Sequence, residues 1–129
     1  MRFVWVVVLL AGCAVVSDSS KVQTQLDGYA TAAATGVGLE KFLAGAALDS
    51  AIQSAELMQS LGYRQVGLAR FELAGAEAGS AHGCLDLSSV SVVDAGGALV
   101  TGPQRQRIGF SVDYDERCLI TDLKVSDVC

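Results

Sequence analysis

Apolar and polar residues along this 129-residue chain fall into three successive patterns. First, an unbroken apolar run from Phe3 to Ala11 follows the single charge of Arg2. After Gly12, Cys13 and a few small residues it gives way to the polar stretch Ser17, Asp18, Ser19, Ser20 and Lys21. A helical period comes next, in which Val22, Leu26, Tyr29, Ala30 and Ala33 recur on one apolar helix face until Thr35, Gly36 and Gly38 stop it. A short helical turn is expected around Leu39 to Leu43. Leu48, Ala51, Ile52, Ala55 and Met58 then form a second stripe, with Asp49, Gln53, Glu56 and Gln59 on other faces and Gly62 placed to end the helix.

Beyond Gly62 the period shortens to two, the signature of strands with one covered face. A first strand is placed at about 66–77, where Phe71 and Leu73 alternate with Arg70 and Glu72, and Gly79 and Ser80 reverse the chain. A second strand, about 81–94, has Leu85 and Leu87 on one parity and Val90 and Val92 on the other. A β-bulge around Ser88 and Ser89 accounts for the slip. After a turn at Asp94 to Gly97, a third strand at about 105–114 sets Ile108, Phe110, Val112 and Tyr114 against Arg107, Gly109, Ser111 and Asp113. Asp115 and Glu116 make a hairpin, and a fourth strand carries Leu119, Leu123 and Val125 from Cys118 to Val125. Helices followed by a meander predict an α+β domain, two N-terminal helices on one face of a four-stranded antiparallel sheet. In that arrangement Leu48, Ile52 and Met58 pack on Phe71, Leu73, Ile108, Phe110 and Val112.

The opening pattern bears on where the chain works. A positive start, an apolar stretch of about 7 to 15 residues and small residues after it are what a secretory signal needs. The run is too short to span a bilayer, which takes about 20 apolar residues. Leu10, Ala11, Gly12 and Cys13 resemble the lipobox of bacterial lipoproteins. That resemblance implies a signal peptide at 1–12, a diacylglyceryl thioether on Cys13, a tether at 13–21 and one domain at 22–129. It places the protein on the outer face of a bacterial cell membrane, where the acyl chains are its membrane partner. Two or more chains give stable anchoring.

Charge narrows the partners. The chain carries 9 basic and 14 acidic side chains, and because Arg2 is the only charge in 1–12, the mature form has 8 against 14, a net charge of −6. Nucleic acid is excluded as a partner for want of clustered Lys and Arg, and no polybasic patch attracts anionic lipid. Besides Cys13 there are Cys84, Cys118 and Cys129, with no C-x-x-C spacing for metal or redox work. On the expected register Cys84 and Cys118 share a face but stand about 9.6 Å apart across an intervening strand, beyond the roughly 7 Å limit for a disulfide. Spacing alone therefore favours none of the pairs.

Two helices, a bulged strand and a curved meander resemble the cone of nuclear transport factor 2-like domains. More narrowly, Gly83, Cys84, Leu85, Asp86, Leu87, Ser88 and a cysteine at position 129 are similar to small actinobacterial secreted lipoproteins of unknown function. This resemblance implies a disulfide between Cys84 and Cys129, which leaves Cys118 as a spare thiol. One departure is Cys118 itself, where such proteins commonly carry tryptophan.

Candidate chemistry is sparse. Some relatives of the cone resemble isomerases or dehydratases, whose work needs a buried carboxylate or imidazole with a shifted pKa. Asp86, Asp113 and Arg107 fall on the water-facing parity. Tyr29, Tyr63 and Tyr114 are the candidate pocket liners. His82 is the only histidine; Ser80 and Cys84 flank it at about 7 Å along the strand, too far for an activated nucleophile. Asp113, Asp115 and Glu116 lack the ligand spacing and glycine of a calcium loop, and neither Gly36 with Gly38 nor Gly96 with Gly97 completes a phosphate-binding motif. The sequence thus predicts no catalytic residue, metal site or cofactor. The expected function is a lipid-anchored, non-enzymatic envelope protein that binds an unidentified envelope protein or a small apolar ligand; the alternative is a small pocket enzyme of isomerase or dehydratase type.

Overall fold

The computed structural model describes residues 19–102, 107–127 and 129. The expected signal peptide, Cys13 and the first residues of the tether lie outside them. Helix α1 (Ser19–Thr35) leads through a 3-10 turn (Leu39–Lys41) to α2 (Gly45–Ser60). Seven strands follow among the described residues: β1 (Arg64–Val66), β2 (Arg70–Glu77), β3 (Ser80–Asp86), β4 (Ser91–Val93), β5 (Leu99–Thr101), β6 (Arg107–Tyr114) and β7 (Ile120–Ser126). The fold is α+β, with a main antiparallel sheet of order β2-β3-β6-β7 and a smaller one of order β1-β4-β5. The end of the expected tether is already helical, since Ser19, Ser20 and Lys21 belong to α1.

The smaller sheet was not foreseen, and it explains two features of the sequence. The expected strand at 66–77 is interrupted between β1 and β2, and the one at 81–94 between β3 and β4. Where a bulge was expected there is a turn: the Asp86 carboxylate accepts the Ser88 amide at 2.9 Å, and the Val90 amide donates to Leu87 O. Val90 and Val92 change parity because the chain leaves one sheet for another, in which Gln65 lies opposite Val92. The two interruptions touch. Gly67, at φ +84°, lies so close to Ser89 that a Cβ there would stand 1.8 Å from the Ser89 carbonyl oxygen, so no side chain fits. A register shift does occur, but in β2, between Leu73 and Gly75.

Helix α1 covers the main sheet. Its Val22, Leu26, Ala30 and Ala32 are buried with Phe71, Leu85, Phe110, Val112 and Ile120, and Gln23 donates to the Phe71 carbonyl at 2.7 Å. Rings of Phe71 and Phe110 meet edge to face with centroids 5.0 Å apart, a favourable geometry for aromatic quadrupoles. Gly28 sits inside α1 despite its low helix propensity because Phe42 packs on it: a Cβ there would lie 2.1 Å from the ring.

Helix α2 departs from expectation. It packs beside β7 at the sheet edge, has no fully buried residue, and leaves Ile52 39% exposed. Leu48, Ile52 and Met58 therefore do not cover Phe71 and Phe110; α1 already occupies that face. What fixes α2 is the chain before it. Leu43 forms a parallel bridge with Ile120, in which the Ile120 amide donates to Phe42 O at 2.9 Å and the Ala44 amide donates to Ile120 O at 2.8 Å. At its other end the helix stops in a Schellman turn, with the Tyr63 amide donating to Met58 O and Gly62 at φ +74°.

These positions separate two substitutions of similar size. Phe110→Ala should cost roughly 3 to 5 kcal/mol, whereas Ile52→Ala should cost about 1 kcal/mol or less. Urea unfolding of both variants measures the difference, and equal losses would contradict the placement of α2.

Candidate functional site

The expected site residues fall in separate places. Cys84 and Cys129 are joined by a disulfide with Cα atoms 5.2 Å apart. The register shows how the tail reaches back: Cys84 lies opposite Gly109 on β6, and Gly109 lies opposite Ser126 near the end of β7. The middle position of that row has no side chain, and three residues beyond Ser126 bring Cys129 back across β6. Cys118, expected to be a spare thiol, is itself disulfide-bonded, and no described cysteine is free. It sits at φ +67° in the β6–β7 turn, where Asp115 Oδ1 accepts the amides of Arg117 and Leu119 and Gln25 donates to the Cys118 carbonyl. Asp115 is thus occupied in capping a turn.

Tyr114 is buried in the core, and its hydroxyl donates to the Glu77 carbonyl. It braces the main sheet and lines no cleft. His82 is exposed on β3 beside Gly75, and its neighbour Cys84 is consumed by the disulfide. The charged face around it is an ion-pair lattice in which Glu72 bridges Arg70 and Arg107. Directly across the strands, Asp86 lies between the same two arginines. Hydrogen bonds from Ser88 hold the Asp86 carboxyl below its ordinary range, helped by Arg70 and Arg107. Such exposed pairs contribute little to stability.

Tyr29 and Tyr63 come together in a cleft of about 850 Å³ between α1, α2 and the start of the smaller sheet. Its apolar wall is made by Tyr29, Leu39, Leu43, Ile52, Met58 and Leu123, and by the alanines at 33, 34, 46, 47, 51 and 55. The alanines are the cause of the hollow: where α1 and α2 approach, at Gly36 and Ala55, short side chains cannot fill the space beside the contact. The alanine-rich stretches 30–34 and 44–47 are the sequence signal for it, a signal that periodicity alone does not distinguish from core. Tyr29 closes the floor with its ring tilted against Phe71 at 5.9 Å. Burial raises its phenol above the usual value of 10.0, so it stays protonated.

Polar groups in the cleft are mostly hydroxyls and amides, from Thr35, Ser50, Ser54, Gln59 and Gln65. The charged lining residues are Glu56 and Arg64, both exposed, and half-exposed Asp122, which lies 3.6 Å from Lys124. Among the described residues no charged side chain is buried, and no group of three His, Cys, Asp or Glu is arranged to hold a metal ion.

No protein-family model matches this chain, and no curated protein matches it.

Two measurements check this description. Cys84→Ser opens a link between residues 45 apart and should lower stability by roughly 2 to 5 kcal/mol; a denaturation curve unchanged from wild type would contradict the bond. Tyr29 ionises in the unfolded chain near 10.0 but higher in the fold. Its contribution is therefore complete below 10.0 and is lost as pH rises from there through the higher value of the folded state. Tyr29→Phe should flatten the fall of melting temperature at alkaline pH.

Proposed function

We propose that this protein is an exported, lipid-anchored domain that binds a small apolar ligand in the cleft between its helices. The observation that carries the reading is the cleft itself. Its volume falls within the roughly 300 to 1,000 Å³ of ordinary ligand sites, and an apolar wall with a small number of polar or charged groups is their usual lining. Export is supported by the opening apolar pattern and by a disulfide, which persists outside the reducing cytoplasm; no helix among the described residues is long and apolar enough to cross a membrane. The lipobox-like Leu10 to Cys13 supports the anchor; because Cys84 and Cys129 are joined to each other, Cys13 is also the remaining cysteine of the chain with which Cys118 can pair, and the anchored form is the one in which that pairing is not made. Helices followed by a four-stranded meander support kinship with the nuclear transport factor 2-like cone, to which the β1-β4-β5 sheet would be an addition.

Binding rather than catalysis is the reading because a pocket isomerase or dehydratase needs an inward carboxylate or imidazole. The ionisable groups of this cleft are two phenols and exposed or half-exposed charges.

Two experiments test the proposal. The protein purified from membranes should release an apolar compound on solvent extraction in near-equal amount to protein, and an empty extract together with no binding of a naphthylamine probe would overturn the ligand reading. The wild-type N-terminus should be an acylated Cys13, and Cys13→Ser should leave the protein unprocessed or released. A sulfur held in a thioether cannot also form a disulfide. A digest mapped without reduction that finds Cys13 linked to Cys118 would therefore overturn the anchor.

A further inference from the structure

We propose that the end of the domain carrying the start of α1 and the β2–β3 and β6–β7 turns is its membrane-facing surface, and that the end carrying the smaller sheet is held away from the bilayer. The inference rests on the lipid anchor at Cys13 proposed above and adds how the domain sits on its membrane. Ser19 and Ser20 border a hollow with Leu73 to Ala76, in the second half of β2. The Gln25 side chain donates to the Cys118 carbonyl in the β6–β7 turn, and the Tyr114 amide, at the end of β6, donates to Gly79 O in the β2–β3 turn. Both turns and the first residues of α1 therefore share one end. At the other end α1 stops beside α2, where a Cβ on Gly36 would touch Ala55. There β1 precedes the start of β2 and β4 follows the end of β3, which puts the smaller sheet at that end.

Two lengths decide which end meets the bilayer. Cys13 lies six positions before Ser19, a stretch that spans about 20 Å at full extension and about 13 Å on average as a flexible chain. The 17 residues of α1 rise about 24 Å. To turn the domain over, the tether would have to run the whole length of α1, farther than it reaches. The chemistry of the two ends differs as well. Near the anchor, Glu77, Asp113, Asp115 and Glu116 outnumber Lys21 and Arg117, so this end gains nothing from anionic head groups and fits a zwitterionic lipid surface. The far end exposes Leu57, Leu61, Val66, Leu68 and Leu99, side chains that would enter the bilayer if the domain could invert. The short tether keeps them out of it.

The test uses the mature protein, purified with its acyl chains and reconstituted in phosphatidylcholine vesicles that contain a lipid with a nitroxide on its head group. A fluorophore is attached through a click-reactive amino acid at Ala78, in the β2–β3 turn, or at Leu99, on β5, both exposed. Quenching should be several-fold stronger at Ala78 than at Leu99, and a second exposed pair, Glu116 and Val37, should divide in the same way. Replacing part of the phosphatidylcholine by phosphatidylglycerol at low salt should weaken quenching at Ala78. Equal quenching within both pairs, or stronger quenching at Leu99 and Val37, would overturn the orientation. Unchanged or stronger quenching at Ala78 in the anionic vesicles would overturn the match to a zwitterionic surface. Failure of the protein to bind vesicles at all would instead overturn the anchor on which the inference rests.

Discussion

The bridge between Leu43 and Ile120 is the constraint on which the arrangement of helices depends. Two backbone hydrogen bonds attach the segment between the helices to the first residue of β7. Both residues are almost completely buried, so the polar groups of the bridge are satisfied where water cannot reach them. Phe42, one residue earlier, is held over Gly28 and locks the same segment to α1. With its start fixed at the sheet edge, α2 cannot slide over the sheet to bury its stripe. Its alanine face is left against α1, and the cleft is the result.

Much of the main sheet was legible in the sequence. The alternation of Ile108, Phe110, Val112 and Tyr114 is the pattern of a strand covered on one side, and the helix face of Val22, Leu26 and Ala30 is what covers it. Periodicity failed where partners changed. Val90 and Val92 continue an apolar pattern into a different sheet, and nothing local distinguishes that from a bulge. Ile120 is 1% exposed, although alternation alone places Leu119 inward, because a register shift between Asp113 and Tyr114 moves the strand by one. The stripe of α2 is a true apolar face, but its neighbour is a hollow.

The candidate site was legible only in part. Tyr29 and Tyr63 line one cleft, while Tyr114 has the same chemistry in a core position. What separates them is the element each sits on, Tyr29 in α1 and Tyr63 just after α2 beside the hollow, Tyr114 at the buried end of β6, which composition does not carry. The spare thiol expected at Cys118 follows from the resemblance that pairs Cys84 with Cys129, and not from any local signal. The shape of its turn comes instead from Asp115 and Gln25, residues that carry no cysteine signal.

The link from Cys84 to Cys129 also makes the two ends of the fold mechanically unequal. Strands β4 to β7 lie inside a covalent loop closed on β3. A machine pulling on the N-terminal side could draw out α1, α2, β1 and β2 in turn, then meet a knot of sequence that transmits tension through sulfur and bypasses every strand within it. Degradation that proceeds by threading from that side would halt there until the bond is reduced.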